Sequence, residues 1–184
     1  MPSPVGPEHA RATVPALVWL SYYQEQTPGV DVLDNASTVL DVRGEPQPDA
    51  QLRILPEYGG RTQTDRRFVR GVPELIVEVS HSTRYTDLGP KFDDYERTGV
   101  LEYVVRALDP DQLLWFVLRE GRLVELALDS DGFFHSETFP GLWLDPAAMI
   151  AGNTRRLREV VDRGLATTEH SAFVARLAAA RAGS

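Results

Sequence analysis

Three charged residues, Asp49, Glu78 and Lys91, combine types and positions that could do chemistry. Glu78 lies inside the almost continuously apolar run 74–80, which is typical of a central β-strand. A buried ionised carboxylate has to be paired or bound to a cation. Asp49 begins the preceding strand-like segment, and two carboxylates on adjoining strands can share a hard divalent ion such as Mg²⁺.

Lys91 is the one lysine among the 19 lysine and arginine residues of the chain. On a predicted helix at 88–97 it falls at the border of an apolar face formed by Leu88, Phe92 and Tyr95. A compact ammonium and a planar guanidinium are not interchangeable near a metal-bound water. The position of Lys91 therefore favours a role that arginine would not fill.

Each of these residues also has a plain structural explanation. Glu78 could face water from an edge strand, because acidic residues strongly prefer exposure. Pro48 and Asp49 could form a turn, and Lys91 could pack its stem while its ammonium stays in water. The sequence patterns leave both interpretations open.

The pattern of apolar residues and turn formers predicts a mixed α/β sheet with helices before, between and after the strands. Helices are predicted at 8–23 and 88–97, with two more after residue 145, and residues 58–70 are predicted to be a loop. Strands are predicted within 31–41 and at 49–55, 74–80, 101–108, 112–119, 122–128 and 133–139.

Length and composition indicate one soluble domain of 184 residues with a formal charge of −8 and no cysteine. The missing cysteines exclude disulfides, thiolate metal sites and cysteine nucleophiles. No apolar run approaches the ~20 residues that cross a bilayer, and no signal peptide pattern begins the chain. We therefore expect a cytoplasmic protein without a membrane partner.

The net negative charge argues against a protein that coats nucleic acid by bulk electrostatics. Nucleic acid could still bind locally at residues 53–70, which contain five arginines and only two acidic residues. The candidate phosphate contacts are Arg53, Arg61, Arg66, Arg67 and Arg70. The alternative for this segment is a solvated surface loop.

Several motifs together resemble the Uma-two family of restriction endonucleases and, through it, the wider class of nucleases with a proline-aspartate, acid-x-lysine signature. The resemblance covers residues 4–144 and is most specific between Glu78 and Tyr103. Its motifs are Pro4, Gly6, His9, Pro48-Asp49, 73–80, Asp87, Lys91, Tyr95, Gly99-Val100 and Glu102-Tyr103. The segment His81-Ser82-Thr83 departs from the family pattern, in which a proline is common.

The resemblance implies a restriction-endonuclease-like domain at 1–150, with a C-terminal helical extension at 151–184 packed on the same domain. It makes Asp49 and Glu78 the metal-binding carboxylates and Lys91 the catalytic lysine, moved from the strand onto the following helix. Ser80 stands where the wider class keeps its lysine. The accessory candidates are His9, Ser80 and Tyr95. His9 could either approach the site or cap local structure, and we expect it to act as a cap.

The function that follows is a magnesium-dependent endonuclease, with Mn²⁺ as a substitute, that hydrolyses DNA phosphodiester bonds. We expect a homodimer, with residues 112–116 or the C-terminal helices as candidate interfaces. The alternative is a catalytically inactive nuclease-fold module that binds nucleic acid or a protein partner. The acidic net charge favours that alternative. Family members usually carry an earlier segment with a further glutamate, and its expected absence before the Pro4-Gly6-His9 motif favours the same alternative.

Overall fold

The computed structural model describes residues 6–41, 44–80 and 85–183, with the backbone alone described at 85–88. Its helices are α1 (Pro7–Gln26), α2 (Tyr85–Thr98), α3 (Pro146–Ile150), α4 (Thr154–Leu165) and α5 (Thr168–Ala182). Its strands are β1 (Val30–Asp34), β2 (Thr38–Val39), β3 (Ala50–Ile54), β4 (Gln63–Thr64), β5 (Val69–Arg70), β6 (Leu75–Ser80), β7 (Glu102–Leu108), β8 (Asp111–Arg119), β9 (Arg122–Glu125), β10 (Phe134–His135) and β11 (Trp143–Leu144).

The main sheet has six strands in the order β1-β3-β6-β7-β8-β9. Only β6 and β7 run parallel within it, and α2 makes the crossover between them. A three-stranded sheet, β2-β5-β4, and a short ribbon, β10-β11, complete the described strands. The expected mixed α/β sheet flanked by helices is confirmed.

Helices cover both faces of the central strand β6. On one face Leu75 and Val77 pack in a cluster with Trp19 of α1. On the other face Ile76 packs in a second cluster with Tyr95 of α2. β6 is therefore an interior strand, and the alternative that placed Glu78 on a water-facing edge is wrong.

Helices α4 and α5 share the core beneath α1. Their buried members in that cluster are Leu157, Val161, Phe173 and Leu177. These positions follow the helical spacing that the sequence shows in this region. Among the described residues, no helix combines the length and the apolar character that crossing a bilayer requires.

Some boundaries differ from the predictions. Helix α2 begins at Tyr85, three residues before the predicted start. The segment 58–70, predicted as a loop, contains β4 and β5, two-residue strands too short for an alternation pattern to appear. The strand predicted at 133–139 is limited to β10, which pairs with β11.

Glu102, one of the motif residues, is a fully buried carboxylate at the start of β7. It accepts hydrogen bonds from Trp115 Nε1 at 3.0 Å, Ser136 Oγ at 2.9 Å and the Thr138 backbone N–H at 2.6 Å. Burial raises the pKa of Glu102, and these three donors act against that rise. Glu102 thus fastens the segment after β10 to the main sheet.

We expect Glu102→Ala to lower the free energy of unfolding by about 2–4 kcal/mol, because it leaves three buried donors without an acceptor. Urea unfolding measures this change. Glu125→Ala, at an exposed position of β9, is the matched control and should change stability by less than about 0.5 kcal/mol. Equal effects of the two substitutions would contradict a structural role for the Glu102 carboxylate.

Candidate active site

The register of β3 against β6 brings Asp49 and Glu78 together. The two strands are antiparallel, with Ala50 opposite Val77. Continuing that register by one residue places Asp49 opposite Glu78. Directly opposed residues in such a pair have Cβ atoms about 4.5–5.5 Å apart. The two carboxylates therefore lie at the same end of two adjacent central strands.

Helix α2 supplies two partners to the Glu78 carboxylate. Lys91 Nζ lies 2.8 Å from Oε2, and the Tyr95 hydroxyl donates to Oε1 at 2.7 Å. Lys91 and Tyr95 are four residues apart, so one face of α2 presents both side chains to the strand. Glu78 is 4% exposed, whereas the Lys91 side chain is 48% exposed. The lysine thus links a buried carboxylate to solvent.

Burial dominates the electrostatics of Glu78. It raises the pKa of the carboxyl group, the Lys91 ammonium acts in the opposite direction, and the charge of Asp49 adds to the rise. Burial and the neighbouring Glu78 charge also raise the pKa of Tyr95 far above its usual range. Tyr95 is therefore a neutral phenol that permanently donates to Glu78.

Asp49 is held by the backbone of β6 and approached by α1. Its Oδ2 accepts the Val79 backbone N–H at 2.7 Å and lies 3.3 Å from His9 Nε2. The expectation that His9 caps local structure is wrong, because the N-cap of α1 is Gly6 and no side chain caps it. No periodicity in the sequence shows that the first turn of α1 lies over the start of β3.

A cleft of about 340 Å³ opens beside Asp49, between α1 and the end of β1. Its walls include His9 and Thr13 from the helix and Asp34 and Asn35 from the strand end and the turn after it. Asp49 is therefore accessible from one side even though its side chain is only 12% exposed.

The donor set suits a hard cation with few protein ligands. Within the described residues, no group of three or more histidine and acidic side chains is arranged to hold a metal. Asp49 and Glu78 offer carboxylate oxygens only, which Mg²⁺ prefers, and Mg²⁺ commonly keeps several waters. Lys91 contacts Glu78, and Asp49 lies opposite Glu78 on the adjacent strand.

Ser80 ends β6 and pairs with Ala107 of β7, and it is half-buried. By strand alternation it shares the face of Glu78. The departure at His81-Ser82-Thr83 and the upstream motif residue Pro4 lie outside the described residues. The side chain of the motif residue Asp87 lies outside them as well.

Two of the predicted phosphate contacts make hydrogen bonds within the fold, the buried Arg53 and the exposed Arg61. Arg53 is 4% exposed and donates to Asp31 Oδ2 through Nε at 2.9 Å and Nη2 at 2.7 Å. The prediction that Arg53 grips nucleic acid is therefore wrong. Arg61 donates to Glu74 Oε1 at 3.4 Å and to the Gly99 carbonyl at 3.1 Å. Glu74 precedes Glu78 by four residues, about 13 Å along an extended strand, so Arg61 lies away from the carboxylate pair.

The other three arginines of that segment are exposed. Arg66 and Arg67 lie in the turn between β4 and β5, and Arg70 ends β5. Arg70 Nε is 2.7 Å from Asp65 Oδ2. These residues stay available to a ligand, which Arg53 does not.

Comparison with known proteins identifies the family. The model of the Uma2 family, described as "Putative restriction endonuclease", matches residues 1–147. The chain belongs to the Uma2 family. A search of the curated proteins gave no match.

A solved structure has a similar fold. It is from Anabaena variabilis and is described as a "putative nuclease belonging to DUF820". The alignment covers 87% of this Uma2 chain and 84% of the Anabaena chain, at 11% identity and a TM-score of 0.54. At this identity the likeness concerns the fold alone.

We expect Glu78→Gln to raise the melting temperature at pH 8 by a few degrees. The pKa of folded Glu78 lies above the ordinary 4.5, so the folded state holds this proton more tightly than the unfolded chain. The stability from Glu78 is therefore present at low pH and lost as the pH rises above the ordinary pKa. Glutamine removes that loss while still accepting from Tyr95.

Thermal unfolding between pH 4 and pH 8 measures the effect, and the gain should shrink towards pH 4. Glu125→Gln, on exposed β9, is the control and should leave the melting temperature nearly unchanged at every pH. A Glu78→Gln protein that melts below the wild type at pH 8 would show that the Lys91 ion pair outweighs the cost of burial.

Proposed function

We propose that this Uma2 protein is a metal-dependent endonuclease that hydrolyses DNA phosphodiester bonds. The observation that carries the proposal is the 2.8 Å contact of Lys91 with Glu78, at the strand end where Asp49 also lies. Two carboxylates that can hold a divalent ion, with an ammonium beside them, are suited to metal-assisted phosphoryl chemistry. Membership of a family of restriction-endonuclease-like proteins supports the same reaction class.

Asp49 and Glu78 would hold the divalent cation, with Mg²⁺ as the proposed ion and Mn²⁺ as its substitute. Such an ion, when bound, polarises a phosphoryl oxygen and lowers the pKa of its water. Hydrogen bonds from neutral donors help to hold the two carboxylates in place for this task. Asp49 accepts a backbone N–H of β6, and Glu78 accepts the Tyr95 phenol.

Lys91 would act on the reacting groups themselves. Its ammonium lies at the boundary between the buried Glu78 and solvent, with half of the side chain exposed. From that position it can orient the attacking water or stabilise negative charge that develops on the phosphoryl oxygens. His9, 3.3 Å from Asp49, would position that carboxylate from α1.

DNA would be gripped locally rather than by the whole surface, because the chain carries a net charge of −8. We propose Arg66, Arg67 and Arg70 as phosphate contacts, which their exposure supports. Binding through these residues should weaken steeply as the salt concentration rises.

We also propose that the protein acts as a homodimer, since cutting both strands of a duplex calls for two sites. Strand β9 pairs with β8 at residues 116–119, so the place of β8 in the sheet does not exclude residues 112–115 from an interface. Residues 112–116 and helices α4 and α5 are therefore both candidate interfaces. Sedimentation equilibrium tests the proposal, and the mass of one chain would exclude it.

We expect the purified protein to nick supercoiled plasmid in the presence of Mg²⁺ or Mn²⁺ and not in the presence of EDTA. Asp49→Ala, Glu78→Ala and Lys91→Ala should each reduce the rate by about 100-fold or more, because each removes a ligand or a charge at the reacting phosphate. Agarose-gel assays on supercoiled and linear DNA measure these rates.

Arg97→Ala is the matched control for Lys91→Ala. Arg97 lies on the same helix and is paired with Asp41 and Asp94 at the surface. Equal nicking by the wild type and Lys91→Ala would remove Lys91 from the mechanism. No cleavage, together with no metal binding that depends on Asp49 and Glu78, would instead favour the inactive nuclease-fold module.

A further inference from the structure

Both carboxylate oxygens of Glu78 are occupied by donors of the chain itself. The Tyr95 hydroxyl donates to Oε1 at 2.7 Å, and Lys91 Nζ donates to Oε2 at 2.8 Å. The two donors differ in kind, because Tyr95 is neutral and buried whereas Lys91 is a cation with a half-exposed side chain. A divalent ion at Glu78 would meet a neutral dipole at one oxygen and a positive charge at the other.

We propose that Lys91 is a resident counter-ion of Glu78 that competes with the divalent cation and moves off the carboxylate when the cation binds. This inference rests on the proposed function, since it concerns the same metal site. It gives the lysine two successive positions, one on Glu78 before the metal binds and one towards solvent afterwards.

Electrostatic competition is the physical basis. An ammonium and a divalent ion on one carboxylate repel each other, and the repulsion is strong where Glu78 is shielded from water. The ammonium also balances charge that would otherwise attract the divalent ion to Asp49 and Glu78. Lys91 therefore weakens metal binding even though the proposed chemistry needs it.

Only one partner of this ion pair is free to move. Glu78 lies within β6, is 4% exposed and is held by Tyr95. Lys91 has a flexible four-carbon stem on the surface of α2, and its ammonium can be hydrated at little cost. Metal binding should thus displace the lysine and leave the carboxylate where it is. The displaced ammonium is then available to a phosphate of the substrate.

Calorimetric titration of the 184-residue protein with Mn²⁺, without DNA, tests the inference. We expect Lys91→Met to bind Mn²⁺ about tenfold more tightly than the wild type, because the competing charge is gone while an unbranched stem remains. Lys91→Arg keeps the positive charge and should stay near the wild-type affinity. Lys91→Gln serves as a second neutral variant, and thermal unfolding establishes that each variant is folded.

Arg97→Met is the matched control, since it removes a cation from the same helix whose partners are Asp41 and Asp94. Its Mn²⁺ affinity should equal that of the wild type. Adding Glu78→Gln to Lys91→Met should abolish the tight binding, which would locate the ion at Glu78.

The failures of the two proposals are distinguishable. Mn²⁺ binding that is unchanged or weaker in Lys91→Met, with the wild type still binding through Asp49 and Glu78, would overturn the counter-ion role and leave the metal site intact. Equal tightening by Lys91→Arg and Lys91→Met would overturn the argument from charge. Absence of Mn²⁺ binding in every variant would overturn both this inference and the proposed metal-dependent function.

Discussion

The structure depends on one constraint, which is that the carboxylate of Glu78 is buried in the middle of the main sheet. Removing a carboxylate from water is costly unless donors or cations surround it. Strand β6 is covered by α1 on one face and by α2 on the other. The groups that stabilise the Glu78 carboxylate therefore have to come from the protein rather than from water. The position of α2, and with it the placement of Lys91 and Tyr95, meets this requirement.

The parallel pair β6–β7 explains how these partners reach Glu78. A parallel connection needs a crossover, and α2 is that crossover. The helix returns over the face of the sheet that carries Glu78, so residues one helical turn apart can both reach it. Antiparallel β3 on the other side brings Asp49 to the same strand end. The local topology alone therefore brings together the carboxylates of Asp49 and Glu78 and the ammonium of Lys91.

Motif residues divide between the site and the frame that supports it. Lys91 and Tyr95 both contact Glu78, whereas Glu102 accepts hydrogen bonds from Trp115 and from the segment after β10. Both glutamates lie on central strands and both have pKa values raised by burial. The difference is the cation, since within the described part of the chain Lys91 pairs with Glu78 and the partners of Glu102 are neutral donors. A buried acid in a motif is thus not by itself a sign of chemistry.

Local patterns were sufficient for the elements that carry long periodic runs. The apolar run around Glu78, the helix bearing Lys91 and the mixed α/β class all follow from residue spacing, because side-chain periodicity reflects the geometry of a single element. The short strands β4 and β5 were not predicted, because two residues are too few to show the alternation of apolar and polar side chains that marks a strand.

Contacts between distant segments were decided only by the tertiary structure. It placed His9 beside Asp49 and buried Arg53 against Asp31. The sequence favoured a cap for His9, and for Arg53 it offered only a phosphate contact or a solvated surface loop. Such outcomes depend on strand order and register, which are set by how whole faces pack rather than by neighbours in the chain. The sequence alone therefore determined which residues could act and on which elements they lie, and the packing of α1 and α2 across the sheet decided which of them meet.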